Sequence, residues 1–201
     1  MRQAGVTIIE MMIALTIMAL LVFLALPNMS TWLNNTQIRT AGETLLAGIN
    51  LARTEALRNN TVVRFQMTTS LDSACALSNT GTSWVVSLAD PTGACDTTPS
   101  NTAAPPDPLI IQKKSGSEGA QRAEVTADGS TIYFNGLGRL ASPGGAANIT
   151  RIEIANSAGG VCRHLDTTNG TMRCLSITIS TGGQIKMCDP AVTDPTDPRI
   201  C

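Results

Sequence analysis

The sequence predicts an α+β fold, in which one long N-terminal helix packs on an antiparallel β-sheet domain. The helix is indicated first by an apolar run without a charged residue from Met11 to Leu26. It continues as a stripe at spacings of three and four, which is one face of a helix: Ile38, Ala41, Leu45, Ile49, Ala52 and Ala56. Short alternating and apolar segments follow beyond residue 60 and are typical of strands.

The predicted helix runs from Val6 to about Asn60 and changes character at Pro27. Residues 6–27 are long enough as a helix to cross the hydrocarbon core of a membrane, whereas residues 28–60 are amphipathic. We expect a kink at Pro27, because a proline ring removes one backbone donor and clashes with the preceding turn.

Residues 61–201 are predicted to form one β-rich globular domain. The Gly182-Gly183 pair is a hairpin signal between its last two strands. Loops at 99–108 and 115–119 are expected to be mobile. The predicted strands are 61–67, 84–88, 109–112, 131–134, 151–155, 174–180 and 184–187.

Composition and motifs argue against catalysis. The chain has 14 basic and 15 acidic residues, so its net charge does not favour nucleic acid or acidic lipid. The only histidine, His164, lies close to Asp166, but no nucleophile motif or Gly-rich phosphate loop accompanies it. We expect no enzyme activity and no cofactor.

The even number of cysteines predicts disulfides in an exported chain. Without a C-x-x-C pair, a metal site is not expected. Fifteen pairings are possible, and we favour the sequential one: Cys75–Cys95, Cys162–Cys174 and Cys188–Cys201.

Glu10 decides between interpretations of the N-terminus. A secretory signal peptide would have a more basic start and a small-x-small cleavage site. A plain membrane anchor fits the length but leaves Glu10 unexplained, since a carboxylate within a membrane costs on the order of 3 kcal/mol. A buried core helix is rarely apolar on every face over such a length.

The segment GVTIIE, with Gly5, Glu10 and Pro27 at their spacing, resembles the class III signal of type IV pilins and pseudopilins. The resemblance implies that a prepilin peptidase removes the leader, residues 1–5, after Gly5 and methylates the new amine of Val6. It also implies that Glu10 pairs with that amine of a neighbouring subunit inside a fibre, where either charge alone would be costly.

Three further segments resemble the GspH/FimT/FimU family of minor pilins and pseudopilins: ARTEA at 52–56, IYFNGLGR at 132–139, and 174–188. The Cys188–Cys201 loop is similar to the C-terminal disulfide loop of FimU-type minor pilins, which GspH pseudopilins of secretion systems generally lack. The resemblance therefore implies a minor pilin of type IV pili, in the priming complex near the tip. A type II secretion pseudopilin is the alternative.

The same resemblance implies partners and a location. A single span would hold the chain in the inner membrane with its domain in the periplasm, before it enters a pilus fibre at the cell surface. The implied partners are other minor and major pilins, the prepilin peptidase, the inner-membrane assembly platform and membrane lipid.

DNA binding is a further alternative, because some FimT proteins are DNA receptors with a G-R-x-R motif. Gly183-Gln184-Ile185-Lys186 matches that motif with one cation, Lys186, so DNA is an unlikely partner unless other cations converge on it. Those cations are Lys113, Lys114, Arg122, Arg163 and Arg173.

Three Asp-Pro pairs lie in the last loop, at Asp189, Asp194 and Asp197. Calcium prefers oxygen ligands, but Asp-Pro is also a common turn former. We favour a solvated, proline-stiffened loop.

Overall fold

The structure is a computed structural model that describes residues 7–100, 108–116, 118–165 and 170–201, with the backbone alone described for 24–28 and 157. Several residues of the sequence-based predictions lie outside these ranges: Gly5, Val6, most of the 99–108 loop, Ser117 and Asp166.

A single helix, α1, spans Ile8–Asn59. The Thr7 hydroxyl accepts a hydrogen bond from the backbone N–H of Glu10 at 3.3 Å, which satisfies one of the free donors of the first turn. The helix ends at Asn60, which has left-handed backbone angles and donates its N–H to the carbonyl oxygen of Ala56. The backbone is helical through Pro27 without a break, and the kink there stays a prediction.

The described residues after α1 form two four-stranded antiparallel sheets. The first has the order β3-β2-β1-β5, and its strands are β1 (Val63–Thr68), β2 (Ser83–Ser87), β3 (Ile110–Lys114) and β5 (Thr131–Phe134). The second has the order β4-β6-β7-β8, and its strands are β4 (Glu124–Ala127), β6 (Arg151–Ala155), β7 (Leu175–Ile179) and β8 (Ile185–Cys188).

The second half of α1 forms a common core with both sheets. The six residues of the predicted stripe, Ile38 to Ala56, are all buried. They pack with Phe65 and Phe134 of the first sheet and with Ile152 and other residues of the second in one hydrophobic cluster. The predicted α+β fold, with a long helix on antiparallel strands, is therefore confirmed.

The hairpin predicted at Gly182-Gly183 joins β7 to β8. Gly183 has φ of +81°, and a Cβ there would collide with the carbonyl oxygen of Gly138. Only glycine combines this backbone conformation with so close an approach.

Candidate functional site

The first half of α1 carries an apolar surface that the described part of the domain leaves uncovered. Ile8 is 82% exposed and Phe23 is 76% exposed. The other large apolar residues of this surface that are exposed are Ile9, Met11, Met12, Ile13, Leu15, Ile17, Met18, Leu20, Leu21 and Val22. A hydrophobic surface of this extent marks a site of interaction.

No helix in the described ranges is both long and apolar enough to cross a membrane.

Glu10 is the acidic residue in this surface. It lies in the first turn of α1, where a negative charge is favourable beside the helix N-terminus. None of the ion pairs between described residues involves Glu10. The residues predicted to be processed, Gly5 and Val6, lie before the described part of the helix.

The six cysteines form three disulfides between successive pairs: Cys75–Cys95, Cys162–Cys174 and Cys188–Cys201. This is the sequential pairing favoured from the sequence. The first disulfide belongs to a small cluster with Val85 and Ile110 at the first sheet. The other two enclose loops that flank β7 and β8.

The C-terminal loop is attached to the end of the second sheet. Lys186 Nζ donates to the carbonyl oxygen of Ile200 at 2.7 Å, and the backbone N–H of Asp189 donates to the carbonyl oxygen of Arg199 at 2.8 Å. The Asp189 carboxylate is buried and accepts from Arg173 Nη2 at 3.2 Å. Arg173 therefore connects the 162–174 loop to the 188–201 loop.

The three aspartates of this loop make local hydrogen bonds. Asp189 also accepts from the backbone N–H of Ala191. Hydrogen bonds from the backbone and hydroxyl of Thr196 lower the pKa of Asp194. A hydrogen bond from the Arg199 side chain, together with its backbone N–H, lowers the pKa of Asp197 from 3.8 to about 2. These contacts fit the interpretation of the Asp-Pro pairs as turn formers.

A groove of about 420 Å³ separates this loop from α1. Trp32 and Arg39 of the helix line one side of it. The other residues that line it on the helix are Asn35 and Thr36, and those on the domain are Arg173, Leu175, Met187, Cys188, Asp189 and Arg199. Sequence reasoning missed this site, because about 140 residues separate its two sides.

Several cations considered for DNA binding have protein partners instead. Lys186 donates a hydrogen bond to the carbonyl oxygen of Ile200, and Arg173 forms an ion pair with Asp189. Lys114 lies 3.6 Å from Glu118. Lys113 donates to three carbonyl oxygens, those of Cys95, Asp96 and Thr97. These contacts reduce the charge available to a phosphate backbone.

His164 lines a small cavity beside the Cys162–Cys174 disulfide. Its Nδ1 atom is buried and has no hydrogen-bond partner among the described residues. The acid predicted near it, Asp166, lies outside those residues.

A long helix, exposed and apolar in its first half and buried against β-sheets in its second, defines a pilin-like protein. The family described as type II transport protein GspH matches residues 41–183, and the prokaryotic N-terminal methylation motif matches residues 1–26. The chain belongs to the GspH family, a family of structural pilin-like proteins.

Two crystal forms of the type IV minor pilin FimU from Pseudomonas aeruginosa strain PAO1 are similar to this chain at 18% identity. In space group P21 the TM-score is 0.46, with 75% of this chain and 87% of that chain covered. In space group P65 the TM-score is 0.42, with 74% and 90% covered. The search of curated proteins found no significant match.

Proposed function

We propose that this protein is a minor pilin that is built into type IV pili, in the priming complex near the tip. The observation that carries the proposal is the uncovered apolar half of α1 with Glu10 in its first turn, because Glu10 and most of this surface lie within the matched methylation motif, residues 1–26. A surface of this kind is stable in water only when lipid or other subunits cover it.

The proposed mechanism is assembly after processing. A prepilin peptidase cuts after Gly5 and methylates the amine of Val6. The chain is then held in the inner membrane by residues 6–27, with its domain in the periplasm, until the assembly platform transfers it from lipid into the fibre. Its neighbours there are other minor and major pilins.

Glu10 sets the register in this mechanism. In the apolar fibre interior its carboxylate pairs with the Val6 amine of an adjacent subunit, and the Coulomb attraction is far stronger there than in water. A subunit displaced along the fibre would leave both charges buried without partners, which is strongly unfavourable.

The test is the amount of this chain in sheared, purified pili. Glu10→Ala is expected to lower incorporation by about tenfold or more, since a lost buried pairing costs several kcal/mol. Glu124→Ala, which removes an exposed acid on β4, is the matched control and should assemble normally. Mass spectrometry of the wild-type chain should show an N-terminus at methylated Val6. Retained Met1, or equal incorporation of Glu10→Ala, would refute the proposal.

A pseudopilin of a type II secretion system is the second candidate, because the matched family is described as a type II transport protein. The disulfide-closed C-terminal loop supports the pilus alternative, since GspH pseudopilins generally lack it. A deletion strain separates the two. Loss of surface pili with normal protein secretion supports the minor pilin, and the reverse supports the pseudopilin.

A further inference from the structure

The helix turn that follows the predicted span carries an exposed tryptophan. Trp32 is 62% exposed, and Met29 and Leu33 beside it are exposed as well. Trp32 and Leu33 lie three and four residues after Met29, so all three share one side of α1. The described part of the domain therefore leaves an apolar side of the helix uncovered at this level too.

This part of α1 is also free of charged residues. Between Glu10 and Arg39 the sequence has no Asp, Glu, Lys, Arg or His. The polar side chains between Pro27 and Arg39 are all amides and hydroxyls: Asn28, Ser30, Thr31, Asn34, Asn35, Thr36 and Gln37. Neutral polar groups around a tryptophan suit the headgroup layer at the edge of a bilayer, where tryptophan is enriched.

The height of Trp32 along the helix agrees with that layer. With residues 6–27 in the bilayer, the Cα atom of Trp32 lies about 8 Å beyond Pro27. Each headgroup layer adds about 5–7 Å to a hydrocarbon core of about 30 Å. The Cα–Cβ bond of a helical residue tilts toward the N-terminus, which here is toward the bilayer. The indole therefore starts at the outer edge of the headgroup layer and points into it.

We propose that, before assembly, Trp32 inserts into the periplasmic headgroup layer of the membrane, together with Met29 and Leu33. This deepens the proposed function and rests on it, since residues 6–27 must hold the chain in the membrane. The indole ring packs on the upper parts of the acyl chains, and its N–H donates to an ester or phosphate oxygen of a phospholipid. Trp32 thereby fixes the depth of the helix and the height of the domain above the membrane.

This depth also places Glu10. It lies 22 residues before Trp32, which is about 33 Å along the helix. Because the hydrocarbon core is about 30 Å thick, a subunit with Trp32 in one headgroup layer has its Glu10 carboxylate at the opposite one. The charge is then outside the hydrocarbon until the subunit enters the fibre, where it is paired.

Fluorescence quenching in phosphatidylcholine vesicles measures the depth of Trp32 in the full-length protein. The lipids carry a nitroxide on the headgroup, near the top of the acyl chain or near its end. We expect the first two labels to quench Trp32 at least about twofold more than the last, because the ring lies in the headgroup layer. Trp32→Phe retains only Trp84, which is buried in the domain and should give a weak background.

Two variants in the Trp32→Phe background provide a depth scale. Phe23→Trp places the ring about 6 Å before Pro27, and its emission should be quenched most by the acyl-chain labels. Arg39→Trp places the ring on the same side of α1 as Trp32 but about 11 Å farther from the membrane. Its emission should not be quenched above the background.

The outcomes separate this proposal from the function on which it rests. Trp32 quenched no more than Arg39→Trp, or quenched most by the label at the end of the acyl chain, overturns the headgroup proposal. An emission maximum of Trp32 that shifts to the blue as the ratio of protein to lipid rises does so as well, because another subunit would then cover the ring. No quenching of Phe23→Trp refutes the span itself, and with it the membrane-held state in the proposed function. Absence of the chain from purified pili refutes the minor pilin, whereas the vesicle measurement still decides the depth of Trp32.

Discussion

Gly48 allows α1 to approach the first sheet closely, and Gly48→Ala tests how rigid that contact is. A Cβ at this position would lie 2.9 Å from Phe65 Cε2 and 2.9 Å from Trp84 Cε2. Both rings are buried, and their centroids are 5.8 Å apart in a tilted arrangement. Neither ring can move away without disturbing the packing around the other.

Two opposing effects determine the outcome. Alanine in a helix interior is favoured over glycine by about 1 kcal/mol. Overpacking a well-packed core costs about 1–3 kcal/mol, and two rigid rings place Gly48 toward the upper end. We therefore expect Gly48→Ala to destabilise the protein by about 1–2 kcal/mol.

Gly42 provides a matched control on the same helix. A Cβ there would lie 3.0 Å from Met187 Sδ and 3.3 Å from Ile154 Cδ1. Met187 is a flexible side chain and only partly buried, so it can adapt. The packing cost should then roughly cancel the helix-propensity gain, which leaves Gly42→Ala within about 0.5 kcal/mol of the wild type.

Urea unfolding of the oxidised full-length protein measures both variants, followed by tryptophan emission, which changes as the buried Trp84 becomes exposed. Gly48→Ala should lower the midpoint with an unchanged slope, and Gly42→Ala should leave it nearly in place. If Gly48→Ala were as stable as the wild type, α1 would not pack on β1 and β2 as closely as described. Equal destabilisation of both variants would show that the approach to the two sheets is equally rigid.

Two further predictions concern the loops. Lys113→Met should destabilise the protein by about 1–3 kcal/mol, because three carbonyl oxygens lose a charged donor; Lys114→Met should have little effect in the same urea assay, and equal midpoints would refute the difference. The lowered pKa of Asp197 means that its contribution to stability is present above the unfolded value of 3.8 and is lost as the pH falls through about 2. Carboxyl-carbon NMR should place its titration near that value and show a return toward 3.8 in Arg199→Gln, whereas an unchanged midpoint in the variant would contradict the assigned cause.

Local patterns were sufficient to predict α1 and seven of the eight described strands. The helix stripe was visible because a helix brings residues at spacings of three and four to one side. Strand β6 was predicted at its observed bounds, since Ile152 and Ile154 alternate with charged neighbours. The sequential disulfide pairing was also predicted from local spacing, because each disulfide closes a short loop within the domain.

The division into two sheets and strand β4 were not predicted. β4 has only Val125 and Ala127 as apolar residues, and it is an edge strand that pairs with β6 alone. Such a strand is specified by its partner and has too few apolar residues to show a period.

The groove between α1 and the C-terminal loop was also not predicted from the sequence. Its arginines come from three separate segments, which only the folded chain brings together.

Amide side chains determine where the second half of α1 meets the domain. Asn156 Nδ2 donates to Asn34 Oδ1 at 3.5 Å and to Gln37 Oε1 at 3.4 Å. Asn35 Oδ1 accepts from the backbone N–H of Arg173 at 3.1 Å. Such directional contacts fix where the helix meets the domain, because a shift by one residue would leave buried amides without partners. They also attach the segment that bears Arg173 to the helix, and so hold the two sides of the groove in register with the apolar surface that precedes them.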